Sequence, residues 1–94
     1  MFRSWRLQLR EAEEAFRSGR LDEAQRVLSQ SELQRFLPAK RLSAGVAGAI
    51  ARRGRERIRA GEFDPGWQDL ETASRLAGDV ADVRSVREEV VSHA

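Results

Sequence analysis

Cysteine and tyrosine are absent from this 94-residue chain, histidine occurs once, as His93, and lysine once, as Lys40. Without cysteine there is no disulfide and no thiolate, so the fold does not require an oxidising compartment. A single histidine next to the last residue, with no tyrosine or cysteine beside it, is a poor inventory for acid–base or nucleophilic catalysis, and the chain does not read as an enzyme. Nor do His and Cys recur at metal-binding spacing. No calcium-loop pattern occurs, and Gly45 and Gly48 lead into no Gly-Lys-Ser/Thr of a phosphate loop, so neither metal nor cofactor is expected. Apolar runs fall well short of the roughly 18–20 residues of a membrane span, and Arg3, Trp5 and Arg6 precede no signal-type apolar stretch. The expectation is a soluble cytoplasmic protein.

Charge of one sign is also missing. Seventeen basic groups face fifteen acidic ones, a net charge of +2. The isoelectric point near 10.3 overstates the basicity, because the basic groups other than Lys40 are arginines and little titrates below high pH. A hydrophobic fraction of 40% with 34% charged residues places the chain among folded proteins. At this length it reads as one domain with a modest core, burying roughly 60–65% of the unfolded surface and leaving little room for a deep active-site cavity.

What is present is helical periodicity. Trp5, Leu9, Ala12 and Phe16 make one stripe of a helix over about 4–18. Gly19 suits the left-handed stop, and Asp22 or its turn caps a second helix with Ala24, Val27, Leu28 and Ser31 inward. Leu33, Phe36 and Leu37 continue the apolar surface to Pro38, which fits a first helical turn. From there a third helix runs to about Ala60, with Leu42, Val46, Ala49, Ile50 and Ile58 in one stripe. Its glycines Gly45, Gly48 and Gly54 cost about 0.5–1 kcal/mol each relative to alanine, which implies close packing in return. Gly61 stops it and Phe63 enters the turn. Asp64 as N-cap and Pro65 at the first position open a fourth helix with Trp67, Leu70, Ala73 and Leu76 inward. Gly78 ends that helix, and Asp79 caps a fifth in which Val80, Val83, Val86 or Arg87, Val90 and Val91 recur at three-to-four spacing. Valine is a mediocre helix former, so this helix depends on docking. No strand is predicted.

One pattern occurs twice. Glu14-Ala15-Phe16-Arg17-Ser18-Gly19-Arg20-Leu21-Asp22-Glu23-Ala24 and Arg57-Ile58-Arg59-Ala60-Gly61-Glu62-Phe63-Asp64-Pro65-Gly66 each run from helix end through glycine and a large apolar residue to an acidic helix start, with the glycines 42 residues apart. Such a spacing points to stacked helical hairpins.

Aligned on these glycines, each hairpin resembles a tetratricopeptide repeat: Ala12, Gly19, Leu21, Ala24 and Leu28 match in the first copy, and Gly54, Gly61, Phe63, Gly66, Leu70 and Ala73 in the second. The second, over 47–76, is the better match; the first covers about 5–31. The family repeat is normally shorter than the 42-residue offset, which places extra residues at Leu33–Arg41 or in a lengthened third helix. Ser31 stands where a small alanine is usual, and Gly66 is an unusual choice within a helix. The resemblance implies an all-α fold of antiparallel helical hairpins, a tetratricopeptide-like array of about five helices: hairpin 1 over about 4–31, a connection at 32–38, hairpin 2 over about 39–77 and a capping helix at 79–92. Two hairpins and a cap make a short stack, which dimerisation or an attached domain would complete. A fainter resemblance links the chain to Arg- and Ala-rich hairpin segments at the start of larger bacterial signalling proteins, some carrying a forkhead-associated domain. It implies the N-terminal part of something longer, although no phosphopeptide-binding motif is present.

The densest basic run is Arg52-Arg53-Gly54-Arg55-Glu56-Arg57-Ile58-Arg59. By the repeat resemblance, the first helix of each hairpin lines a concave face, setting Arg6, Leu9, Glu13, Phe16 and Arg17 beside Ala51, Arg55, Ile58 and Arg59. Guanidinium forks there would suit a protein or an acidic peptide. Leu9 and Glu13 stand where the family's carboxylate clamp has Lys and Asn. The expected function is a protein-interaction or scaffolding module, with Arg6, Phe16, Arg17, Arg55, Ile58 and Arg59 as its partner-binding residues. Against this stands a solvated face with pairs such as Arg52–Glu56. A second alternative is homo-oligomerisation through the slim third helix at Gly45 and Gly48. A nucleic-acid role is weaker still, because Asp22 and Glu23 would repel phosphate at the start of any recognition helix. Trp5 and Trp67 both lie in phase with apolar stripes and read as core, Trp5 being the better placed of the two for partial exposure. The carboxylate pairs Glu13-Glu14, Asp22-Glu23 and Glu88-Glu89 read as solubility features rather than catalytic dyads.

Overall fold

The structure, a computed structural model, describes residues 5–29, 33, 36–78 and 81–93. Among the described residues there are five α-helices and no strand: α1 (Trp5–Arg17), α2 (Leu21–Leu28), α3 (Leu37–Arg59), α4 (Phe63–Ala77) and α5 (Ala81–His93). The all-α expectation holds, and the helix boundaries fall within about two residues of the sequence reading except at the end of α2, expected near 31 and found at Leu28. Ser31, Asp79 and Val80 lie outside the described residues.

The doubled sequence pattern folds into a doubled turn. Gly19 and Gly61 take the left-handed region, at φ 78° and 87°, where a Cβ would be strained. At the first, Gly19 N–H donates to Phe16 C=O at 3.1 Å and Arg20 N–H to Ala15 C=O at 2.8 Å. At the second, Gly61 N–H donates to Ile58 C=O at 3.0 Å and Glu62 N–H to Arg57 C=O at 2.8 Å. Both are Schellman motifs, which satisfy helix-end carbonyls. The residue after each glycine then opens the next helix: Arg20 and Glu62 share a backbone conformation (φ −85°, ψ 71° and φ −89°, ψ 73°), and their carbonyls accept from Ala24 and Gly66.

This geometry corrects the expected caps. Asp22 is the second residue of α2 and Asp64 the second of α4, while Pro65 is third and Phe63 first. Neither helix has a side-chain cap hydrogen bond. The Schellman turn supplies the first carbonyl directly, so the carboxylates fall inside the first turn, where the positive end of the helix dipole favours them. Pro65 stays tolerable because the first four N–H groups have no intrahelical partner. Gly78 ends α4 as expected but in the right-handed region, at φ −64°.

The chain divides inside α3 into two compact units, one up to Val46 and the other from Ala47. In the first unit α1 packs on α2 around Leu9, Ala12, Ala15, Ala24 and Leu28. Leu33 and Val46 are fully buried as well. Phe36 precedes α3 and its carbonyl accepts from Lys40 N–H at 3.1 Å, so Pro38 occupies the first turn as expected. Leu37, expected on the apolar surface, opens α3 exposed. The rings of Trp5 and Phe36 stack at 4.2 Å between centroids, tying α1 to the start of α3.

In the second unit Ile50, Leu70, Ala73, Val83, Val86 and Val90 are buried, and α4 packs against α5. Val91 is 62% exposed, against expectation. Val90 already faces inward, and a helix turns about 100° per residue, so its neighbour leaves the interface. The α3–α4 crossing is set by two glycines. A Cβ on Gly54 would lie 2.8 Å from Gly66 O and from Asp69 Cβ, and one on Gly66 would lie 2.5 Å from Ile58 Cγ1. The cost of glycine within helices is offset by backbone-to-backbone packing.

Candidate functional site

The basic run of α3 resolves into two forks. Arg53 and Arg57, one turn apart, converge on Asp69 of α4; Arg55 and Arg59, also one turn apart, converge on Glu89 of α5. Arg53 holds Asp69 in bidentate fashion, with Nε donating to Oδ2 at 2.9 Å and Nη2 to Oδ1 at 2.8 Å, and Arg57 Nη1 donates to Oδ2 at 3.1 Å. The Asp69 side chain is only 7% exposed, so the bonds form in a medium far less screening than water. On the other side Arg55 Nη1 donates to Glu89 Oε2 at 3.2 Å and Arg59 Nη2 to Glu89 Oε1 at 2.8 Å. Glu56 lies beside the second fork, 3.4 Å from Arg59 and 3.5 Å from Arg55. The odd-numbered spacing explains the division: residues 53 and 57 share one helix face, while 55 and 59 lie about 200° round from it.

Beside the second fork is a groove of about 140 Å³ lined by Arg55, Ile58, Arg59, Phe63, Trp67, Glu89 and Val90. An apolar cavity of about 150 Å³ is large enough for a benzene ring, so the groove takes one side chain rather than a cofactor. Phe63 is 59% exposed and Trp67 40% exposed. Trp67, expected in the core, is therefore a surface aromatic, and the more exposed of the two tryptophans. Gly66 must face α3, which turns the next residue about 100° away from it.

Arg55, Ile58 and Arg59 are thus brought to one groove. The other residues expected at the contact face belong to the first unit. Arg6 sets its guanidinium 5.4 Å from the Trp5 ring centroid. Phe16 lays its ring over Gly45, with Cε2 3.2 Å from where a Cβ would be, and Arg17 is exposed in the last turn of α1. Asp69, Phe63, Trp67, Glu89 and Val90 were not anticipated in these roles. Three had a legible signal: Asp69 is an acidic residue in phase with Gly66, Leu70 and Ala73, and Phe63 and Trp67 are four apart on one helix face.

Among the described residues, no group of His, Cys, Asp and Glu is arranged to hold a metal ion, and no helix is long and apolar enough to cross a membrane. Comparison with protein-family models, with curated proteins and with solved structures finds no match.

Proposed function

We propose that the chain is a protein-interaction module and that the groove between Phe63, Trp67 and the Arg59–Glu89 pair is its contact site. The observation that carries this is where the large apolar groups lie. Among the described residues the largest fully buried side chains are Leu28, Leu33, Ile50, Leu70, Val46, Val83 and Ser43, and no aromatic is among them. A chain this short gains most by burying its rings, and aromatics left at a groove with an adjacent guanidinium have the composition of an interface anchor.

The twin Schellman turns support treating the chain as two copies of one helical unit, as a tetratricopeptide-like scaffold at the start of a larger signalling protein would require. The charge pattern refines the partner. Arg55 and Arg59 already engage Glu89 and Glu56, so an acidic peptide would have to displace carboxylates of the chain itself. A protein surface offering an apolar side chain with balanced charge around it fits better.

Affinity capture from source-cell lysate with the wild-type chain, Trp67→Ala and the control Leu7→Ala tests the reading. Leu7 is exposed on α1, away from the groove residues in sequence and in unit. Loss of specifically captured protein with Trp67→Ala alone is expected. Equal capture by all three chains would remove the groove from the proposal.

A further inference from the structure

We infer that α5 is a strap that docks and undocks as one unit, and that its position sets how far the groove is open; the inference rests on the groove being the contact site. α3 supplies Arg55, Ile58 and Arg59 to the groove and α4 supplies Phe63 and Trp67, whereas Glu89 and Val90 come from α5. Moving α5 removes one wall and leaves the others standing.

The three helices are not held alike. α3 and α4 meet through the Gly54 and Gly66 backbones, where a Cβ on either would lie 2.8 Å from the other's carbonyl oxygen, and through the bidentate Arg53–Asp69 pair. α5 is joined to α3 through Glu89, whose side chain is 35% exposed and whose bonds to Arg55 and Arg59 are open to screening by salt.

The make-up of α5 adds to this. Among the described residues its buried apolar side chains are Val83, Val86 and Val90. Valine loses rotamer freedom in a helix, and a helix of 13 residues is marginal by itself in water. α5 therefore gains its helix from docking and gives it up on leaving, which makes the two one event.

Docking also leaves two polar atoms without a partner. Ser74 Oγ and Arg55 Nε are buried and make no hydrogen bond. In direction around α4, Ser74 falls between Phe63 and Trp67, all three within about 40°, so it faces the side on which the groove and α5 lie. Arg55 is drawn in by its bond to Glu89. Each orphan carries the desolvation cost of an unmade hydrogen bond, and water satisfies both once α5 lifts. The docked state is thus weakened at its own interface.

The test is amide hydrogen exchange of the whole chain across low denaturant concentrations, with circular dichroism confirming helicity for each variant. Amides of α5 are expected to exchange faster and with weaker denaturant dependence than those of Ile50 and Leu70, the mark of partial rather than global unfolding. Glu89→Gln is expected to raise the α5 opening about 5-fold and to reduce its dependence on sodium chloride. Ser74→Ala acts in the opposite sense, slowing that opening by about 5-fold or more, because the docked state no longer holds that orphan. The apparent affinity of anilinonaphthalene sulfonate, a dye used here as the probe of exposed apolar surface, is expected to follow the open fraction: stronger in Glu89→Gln, weaker in Ser74→Ala and lost in Trp67→Ala. Exchange of α5 with the rate and denaturant dependence of Ile50 and Leu70 overturns the strap, and dye affinity unmoved by Ser74→Ala overturns its control of the groove. If α5 opens and dye binding follows, but Trp67→Ala captures protein from lysate as the wild type does, the contact-site reading falls and the strap stands.

Discussion

Gly54 of α3 and Gly66 of α4 face each other with no side chain between them: a Cβ on either would stand 2.8 Å from the other's carbonyl oxygen. The contact fixes which face of α4 meets α3. It carries Asp69 to Arg53 and Arg57, and it turns Trp67 outward to the groove.

Replacing Gly66 with alanine is therefore expected to cost about 1–3 kcal/mol, because the new methyl meets Ile58 and a backbone oxygen in a packed crossing. The left-handed turn glycines make a useful contrast. A Cβ on Gly19 would touch nothing within 4 Å, so Gly19→Ala costs only the backbone strain of about 1–2 kcal/mol. Urea unfolding of both variants checks this, together with Gly19→Asn. Asparagine tolerates the left-handed region and is expected to recover part of the loss only at position 19.

Asp69→Asn is expected to destabilise the chain by about 2–3 kcal/mol, since it leaves two guanidiniums facing a neutral amide. Arg53→Ala is expected to cost more than Arg57→Ala. The first removes a bidentate pair at a side chain 26% exposed, the second a single bond at one 36% exposed. Thermal melts of the three variants rank them directly.

Leu70→Ala is expected to lose about 2–5 kcal/mol, as a fully buried side chain leaves a cavity. Trp67→Ala removes a larger residue and yet is expected to cost less, because much of the indole already faces water. The reverse order in denaturant titrations would return Trp67 to the core.

A double-mutant cycle on Arg59→Ala and Glu89→Ala is expected to give a coupling of at most about 1 kcal/mol that shrinks as salt is added, since both groups reach solvent. The same cycle on Arg53 and Asp69 is expected to give a larger coupling with weaker salt dependence, because that carboxylate is buried.

Much of this architecture is written locally. The apolar stripes at Leu9, Ala12 and Phe16 and at Leu70 and Ala73, the turn glycines and Pro38 each act on residues within a turn or two, so five helices and their stops can be read from the chain alone. The repeated Gly19 and Gly61 pattern even reports a shared turn geometry, because a left-handed backbone closed by two hydrogen bonds involves only six neighbouring residues.

The meaning of the arginines and tryptophans was not legible in that way. An arginine at 53 or 55 is equally helical with or without a partner, and its role depends on a carboxylate 16 or 34 positions distant. Trp67 is in phase with a stripe whose edge can be located only once Gly66 is seen against Gly54. Periodicity specifies that a helix has an inner face, whereas the close approach of two backbones selects which residues occupy its centre and which are left at the rim. That selection pairs the basic run with Asp69 and Glu89, and it sets Arg55, Ile58 and Arg59 beside the exposed rings of Phe63 and Trp67.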